Sequence, residues 1–466
     1  MLTPYLSAHF LKGTGRIKYC VLTAFSALLF IQYGNWVWGA QGNDNSSQLR
    51  LGARLFKDER FSSPDGDLPA SCSHCHLLDE DPQGTRAYVD FFARSWVSWR
   101  SKDPRRDGLR NAPTLLDAAD MQQLHYDGEF DSLEELVKGT LAGRTLGWLQ
   151  GEQEKAFQQA YRVLLSDGGE NGKVGESYRD QFKKAYGVDL EKLSRDEVIN
   201  LCAKSISDYV RTFKTQRNSA YDKFIQMNGL ESRPAREEPA NLFAERMLAQ
   251  ISSLEAKGQL KLSKDFSASA LKGLKVFFRT RGDGPAGNCV SCHEPPLFTD
   301  SSFHNIGVSQ SEYDKAHGNG SFAALSLPGA AEAVRPSAQY REIPSHDKPG
   351  RVDLGHWNFV SLTGSRLRRS GESDDRFLER MVAAFKTPTL RNLAYSQPYM
   401  HNGSLLTLES VMAELMHNSA LARDNRLRSA DEELSRIRIT EADIPPLVDF
   451  LNSLNEDLKH LRRSND

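Results

Sequence analysis

The chain has 466 residues, 39% of them hydrophobic and 9% aromatic, and a formal charge of -2. That length suits roughly two to four domains, each able to bury a core. The balanced charge excludes a global basic field of the kind that attracts nucleic acid, and it excludes an acidic disordered chain.

At the start, Lys12, Arg16 and Lys18 precede an apolar run from Cys20 to Tyr33, with Gly39 and Ala40 beyond it. A basic stretch, a run of that length and small residues predict a signal peptide over 1–40. Val37 and Trp38 make an imperfect cleavage site, so a retained N-terminal anchor is the alternative, although the run is short for a span. Either way the remaining chain is expected in the periplasm or otherwise exported.

"GARLF" (Gly52–Phe56) then predicts an amphipathic helix, and "CSHCH" (Cys72–His76) follows. The same Cys-x-x-Cys-His string returns as "CVSCH" (Cys289–His293), in a chain of six cysteines. Such closely spaced cysteines make a strained, reducible bridge and a poor disulfide framework. Tetrahedral zinc needs a further His soon after the first, whereas the next one after His76 is His125. Covalent haem fits better. Residues i, i+3 and i+4 share one face of a helical turn, so two thiols reach the two vinyl groups of one haem. The adjacent His then meets the iron. With this composition the string is expected roughly 0.002 times by chance, so two copies carry a strong signal. The reading is two covalently bound haem c groups, attached at Cys72 and Cys75 and at Cys289 and Cys292, with His76 and His293 as proximal ligands.

Around the two strings the chain repeats itself weakly. "GARLF" matches "GLKVF" (Gly273–Phe277), and "LRN" occurs at Leu109–Asn111 and at Leu390–Asn392. "DGEFDSLEELV" from Asp127 parallels "NGSLLTLESVM" from Asn402, where Ser132 and Thr407 are expected to cap helices. Apolar helices from Ser205 and from Leu447 close the two halves. The expected fold is mainly α: two cytochrome c-like haem domains in tandem with long irregular loops, over 41–230 and 266–460. Residues 231–265 read as a linker with an inserted helix. The Gly-, Pro- and Ser-rich stretch 309–351 reads as a long loop with little regular structure.

The order of these pieces resembles the bacterial di-haem cytochrome c peroxidase family, MauG-like enzymes included. The resemblance rests on "LGARLFKDERFS", "LRNAPTLLDA", "FTDSSFHNIGV" and "FKTPTLRNLAYSQPYMHNGSLLTLESV". It implies that the N-terminal haem, on His76, cleaves hydrogen peroxide, and that the C-terminal haem, on His293, relays single electrons from a small c-type cytochrome. It also implies a calcium ion between the domains, at Asn111, Ser396 and Pro398. His401 matches a family position near the second haem, with a hydrogen-bonding role in its pocket.

Several positions depart from the family pattern. Its peroxidases commonly carry a distal His about sixteen residues after the proximal one. Here none lies between His76 and His125, and Phe92 is near that place, so the first haem is expected to be open, as in MauG-like enzymes. The bridging Trp of "WDG" is replaced by Tyr126, which can still carry a transient radical, and Trp148 is a substitute to consider. Family Gln and Glu residues that move protons are missing from "LEEL" (Leu133–Leu136) and "RTLGW" (Arg144–Trp148). Glu129, Glu134, Glu135 and His125 are the available stand-ins. For the sixth ligand of the second haem, direct matching lands on Leu415, which cannot bind iron. Met416 is preferred, with Met412 and His417 as alternatives.

Three functions follow from these residues. The first is a peroxidase fed by a small c-type cytochrome or another periplasmic donor. The second is MauG-like oxidation of side chains on a partner protein, and the third is a non-enzymatic di-haem electron carrier.

Overall fold

The computed structural model describes residues 45–461, apart from 79–87, 91–93, 95–96, 104, 106, 170–175, 283 and 333. The expected leader and Phe92 lie outside the described residues. Among those described, twelve α-helices dominate and strand is confined to two short antiparallel pairs. The mainly helical expectation holds. No described helix is long and apolar enough to cross a membrane.

The first half contains α1 (Asn45–Phe56), the strands β1 (His76–Leu78) and β2 (Tyr88–Asp90), then α2 (Leu133–Leu141), α3 (Gln153–Ser166), α4 (Tyr178–Tyr186) and α5 (Arg195–Val210). Helix α1 buries Leu51, Leu55 and Phe56, a stripe at helical spacing, against α5. Ser194 and Glu197 form a capping box that fixes where α5 starts. Ser132 caps α2 by accepting from the Glu135 N–H, as its sequence predicts.

The second half repeats that plan. It runs through α6 (Ala220–Met227), α7 (Ala240–Ala256), α8 (Ala268–Phe278), β3 (Phe303–His304), α9 (Val308–His317), α10 (Asp374–Arg380), β4 (Phe385–Lys386), α11 (Leu408–Arg423) and α12 (Ile444–Asn452). Helix α8 packs on α12 as α1 packs on α5. Thr407 caps α11, the counterpart of Ser132 on α2.

The repeat extends to the turns. Leu124 bridges Phe130 in the first half and Tyr399 bridges Leu405 in the second. His125 and Met400, both at the start of these turns, take positive φ, as do Gly128 and Gly403. Arg110 and Arg391 sit at equal places in the two "LRN" segments. Arg391 is buried and Arg110 largely so, and both grip carboxylates: Arg110 takes Asp353 and Asp127, and Arg391 takes Asp222.

Three hydrophobic clusters fill the interior. The first gathers residues 51–213 with Leu458 and Leu461 from the C-terminal end. The second joins 221–298 to 393–454 and takes in Phe243, Met247 and Ile251 of α7. The stretch read as a linker therefore contributes to a core. The third cluster adds to the reading of 309–351: beyond α9 the stretch has little regular structure, as expected, but it packs into a core. Helix α9 occupies 308–317, and Tyr313, Phe322 and Tyr340 pack with Trp357 and Phe377. Glycines and prolines concealed enough apolar residues to build a small core of their own.

Candidate functional site

Each Cys-x-x-Cys-His string forms a tight 3-10 turn rather than a run of α-helix. Cys72–His74 and Cys289–Ser291 are the turns, and Cys75 and Cys292 cap them with their N–H donated to the Cys72 and Cys289 carbonyls, both at 3.2 Å. In a 3-10 turn residues i and i+3 eclipse, which sets the two cysteines of each pair side by side. All four are free thiols. Burial pushes Cys72 up to about 12 and Cys75 up to about 11, so both stay protonated rather than act as thiolate ligands.

Cys72, Cys75 and His76 open on a cavity of about 1180 Å³. That is room for a large flat ligand, above the usual range for small-molecule pockets. The Nδ1 of His76 is bonded to Asp90 Oδ1 at 2.8 Å. At the second string the Nδ1 of His293 is bonded to the Phe298 carbonyl at 2.9 Å. At His76 the bonded nitrogen is Nδ1, which leaves Nε2 to face an iron, whereas His293 also has the Pro388 backbone within hydrogen-bond reach. Paired thiols, an oriented imidazole and, at the first site, a large cavity fit covalent haem.

Tyr126 is half-buried on the cavity wall, and burial raises its phenol pKa, with the Asp90 charge adding to the effect. Its carbonyl accepts the Lys386 N–H at 2.7 Å, so it lies where the two halves meet. Trp148, the substitute for it, is buried in the first cluster and donates its indole N–H to the Phe61 carbonyl at 3.2 Å. Around Tyr126 the halves are tied further: His356 Nδ1 bonds the Asp127 carbonyl at 2.7 Å, and Arg110 bonds Asp353 at 2.6 Å.

The positions where the family carries its proton-moving groups line the same cavity as Leu136, Arg144 and Thr145. Arg144 is committed elsewhere, to Asp103 at 2.7 Å and to the carbonyls of Arg105 and Asp107. Of the stand-ins, Glu134 turns outward to Arg211 at 2.7 Å. Glu135 is exposed at the cavity edge. His125 and Glu129 face each other inside it at 3.5 Å, with Arg341 2.8 Å from Glu129. Burial alone would raise Glu129, but His125 and Arg341 together pull it down to about 2.

Asn111 and Pro398 meet: the Asn111 amide donates to the Pro398 carbonyl at 2.6 Å, while its Oδ1 is buried without a partner. An orphaned oxygen beside a carbonyl is a fair pair of calcium ligands. Ser396, two residues earlier, donates its backbone N–H to Leu393. On α11, Met412 is buried in the second core, Met416 is half-buried and His417 is exposed to solvent. His401 stacks on Phe385 with ring centroids 3.6 Å apart, and its Nε2 has no hydrogen-bond partner, so the bond expected of it is not made by that nitrogen.

Sequence reading missed Asp90 and Arg341. Asp90 lies fourteen residues beyond His76, and only the pairing of β1 with β2 puts them opposite each other. Arg341 sits in the stretch taken for an irregular loop, and that stretch forms one wall of the cavity.

Residues 46–229 match the sequence profile of the family described as di-haem cytochrome c peroxidase. The cytochrome-c peroxidase IdrP2 of Denitromonas iodatirespirans is 24% identical over 88% of this chain and 82% of its own length. The methylamine utilization protein MauG of Methylophilus methylotrophus is 23% identical over 87% of this chain and 81% of its own. The diheme peroxidase BthA of Burkholderia thailandensis shares the fold. Its TM-score is 0.51 at 18% identity, covering 88% of this chain and 86% of that one. Over residues 46–229 the chain matches the di-haem cytochrome c peroxidase family, and along most of its length it is similar to cytochrome-c peroxidases and MauG.

Proposed function

We propose that the protein reduces hydrogen peroxide with electrons from a small c-type cytochrome, at an exported location. The observation that carries this reading is the cavity of about 1180 Å³ onto which Cys72, Cys75 and His76 open together with His125 and Glu129. When bound, the two haems supply the two-electron cleavage of peroxide and the one-electron relay that feeds it. The chain's own residues do the rest. His76 would hold the N-terminal iron, and His293 with Met416 would hold the C-terminal one. A thioether there raises the potential, which suits a relay.

Peroxide cleavage needs a proton moved from one oxygen to the other, and a positioned side chain contributes roughly 100- to 10,000-fold. His125 and Glu129 take that role in place of the missing family residues. Glu129 is ionised at neutral pH, orients His125 and leaves the imidazole to carry the proton. Tyr126 lies where the halves meet, on the electron path, and Asn111, Pro398 and Ser396 would hold a calcium ion at that junction.

Stopped-flow mixing of the purified chain with reduced cytochrome c tests the reading. Rapid oxidation that depends on peroxide supports it, and oxidation at the same rate without peroxide defeats it. A MauG-like role is the second reading, favoured by the match to MauG along most of the chain. Slow turnover with a persistent peroxide-induced change in the haem spectrum would select it.

A further inference from the structure

Trp148 lines the cavity onto which Cys72, Cys75 and His76 open, and its indole N–H is donated to the Phe61 carbonyl at 3.2 Å. Phe61 ends the 3-10 turn Glu59–Phe61, and Asp58 caps the start of that turn. Asp58 Oδ2 in turn accepts the hydroxyl of Tyr178 at 2.7 Å. Two oxidisable rings, one in the cavity wall and one beyond it, are thus joined through a single short turn. The turn is held in place, because Ser63 just after it donates its N–H to the Leu146 carbonyl at 2.7 Å.

Tyr178 is wholly buried, and two arginines cover its ring. Arg54 lies 3.9 Å from the ring centroid and the half-exposed Arg60 lies 5.7 Å from it. Both guanidiniums are paired with Asp167, at 2.8 and 2.9 Å, and Arg60 is also paired with Asp58 at 2.6 Å.

These neighbours decide how the ring can be oxidised. A cation over an aromatic face is held by the ring's electrons, so two guanidiniums make it costly to leave positive charge there. The phenol must therefore lose its proton as it loses its electron. Burial, with the Asp58 charge adding to it, holds the phenol well above the ordinary tyrosine range, so the proton stays on at rest. Asp58 lies within the roughly 2.6–3.2 Å that proton transfer to a positioned group requires. Trp148 has a carbonyl in that place, which takes no proton, so the indole is a relay rather than an end point.

We infer that Trp148 and Tyr178 form a branch that supplies an electron to the N-terminal haem site when the cytochrome donor is absent, with Tyr178 as the residue oxidised. Hydrogen peroxide takes up two electrons and two protons from solvent to become two waters. One electron comes from Tyr178 through Trp148, and the other from a haem iron. The Tyr178 O–H bond breaks, its proton passes to Asp58, and a neutral phenoxyl radical remains. The inference rests on the peroxidase reading. It adds a residue, distinct from Tyr126, on which the oxidant ends without damage to the cavity itself.

The test is freeze-quench electron paramagnetic resonance of the full-length holoprotein, mixed with hydrogen peroxide and no donor. A parallel sample carries ring-deuterated tyrosine. The wild type should give a tyrosyl signal that narrows on deuteration. Tyr178→Phe, which removes only the hydroxyl, should lose most of it, whereas Tyr126→Phe should keep it. Asp58→Asn should lose it too, because the phenol is present and its proton acceptor is not. Trp148→Phe should slow its appearance. With reduced cytochrome c supplied, Y178F should turn over at the wild-type rate. After repeated peroxide additions without donor, peptide mass spectrometry should find Tyr178 oxidised in the wild type and cavity residues oxidised in Y178F. A signal that survives in Y178F, or that vanishes in Y126F alone, overturns the inference. If D58N does not fold, the Y178F and Y126F pair decides. A wild-type haem spectrum that responds to peroxide without any tyrosyl signal overturns the branch alone. A haem spectrum that does not respond defeats the peroxidase reading, and the branch with it.

Discussion

Gly52 packs its bare Cα against Ser205, so closely that a methyl group at that position would overlap the Ser205 carbonyl oxygen. Gly273 stands in the same relation to the Pro446 carbonyl. The two glycines that mark the sequence repeat are thus the two helix crossings, α1 on α5 and α8 on α12, that close each half. The obstacle is backbone in both cases and cannot rotate away.

Gly52→Ala and Gly273→Ala should each destabilise the protein by about 2 kcal/mol or more, as forced overpacking does. Chemical denaturation read by circular dichroism measures it. A loss below about 0.5 kcal/mol would mean that the crossings relax easily.

Arg110 is 9% exposed at its side chain and lies between Asp127 at 2.5 Å and Asp353 at 2.6 Å. Removing the cation leaves two buried carboxylates facing each other. Arg110→Ala is expected to cost about 3–5 kcal/mol. Neutralising both partners in the Asp127→Asn, Asp353→Asn background should recover part of it, and thermal unfolding of the four variants checks the coupling.

Glu129 titrates near 2 in the folded chain, against about 4.3 for an unperturbed Glu. A depressed carboxylate contributes stability above its unfolded pKa and loses it as pH falls toward the folded one. The wild type should therefore lose stability between about pH 4 and pH 2 more steeply than Glu129→Gln. Denaturant midpoints over that window decide it, and parallel curves would mean that the bonds to Arg341 and His125 do not persist in solution.

Calcium bound per chain, measured by elemental analysis after dialysis, should fall from one to none in Asn111→Ala. This variant removes the buried orphan oxygen beside the Pro398 carbonyl. Retention of the ion in the variant would place calcium elsewhere.

Met416→Ala should abolish the methionine–iron charge-transfer band of the oxidised second haem, while His417→Ala, on the exposed face of α11, should leave it intact. Loss of the band in Met412→Ala alone would transfer the ligand role to that residue.

Much of the candidate site was legible in one dimension because the residues that would attach haem are close in sequence. Two thiols and an imidazole within five residues need only one turn of backbone, and both strings do form that turn. Caps at Ser132 and Thr407 and the paired glycines are equally local, and they appear where the sequence places them. The stretch 309–351 was less legible. Its apolar residues are sparse and widely spaced, and they become a core only when Trp357 and Phe377 arrive from later in the chain.

By itself the sequence determined the two Cys-x-x-Cys-His strings, the duplicated plan and the residues that stand at the family's proton-moving positions, because each is written in neighbouring residues. Only the tertiary structure decided which groups stand behind the ligands and across the cavity. Asp90 reaches His76 through a strand pair, Arg341 reaches Glu129 across 212 residues, and Arg110 reaches Asp353 across 243. Such partners are chosen by how the halves pack, and no periodicity along the chain records that choice.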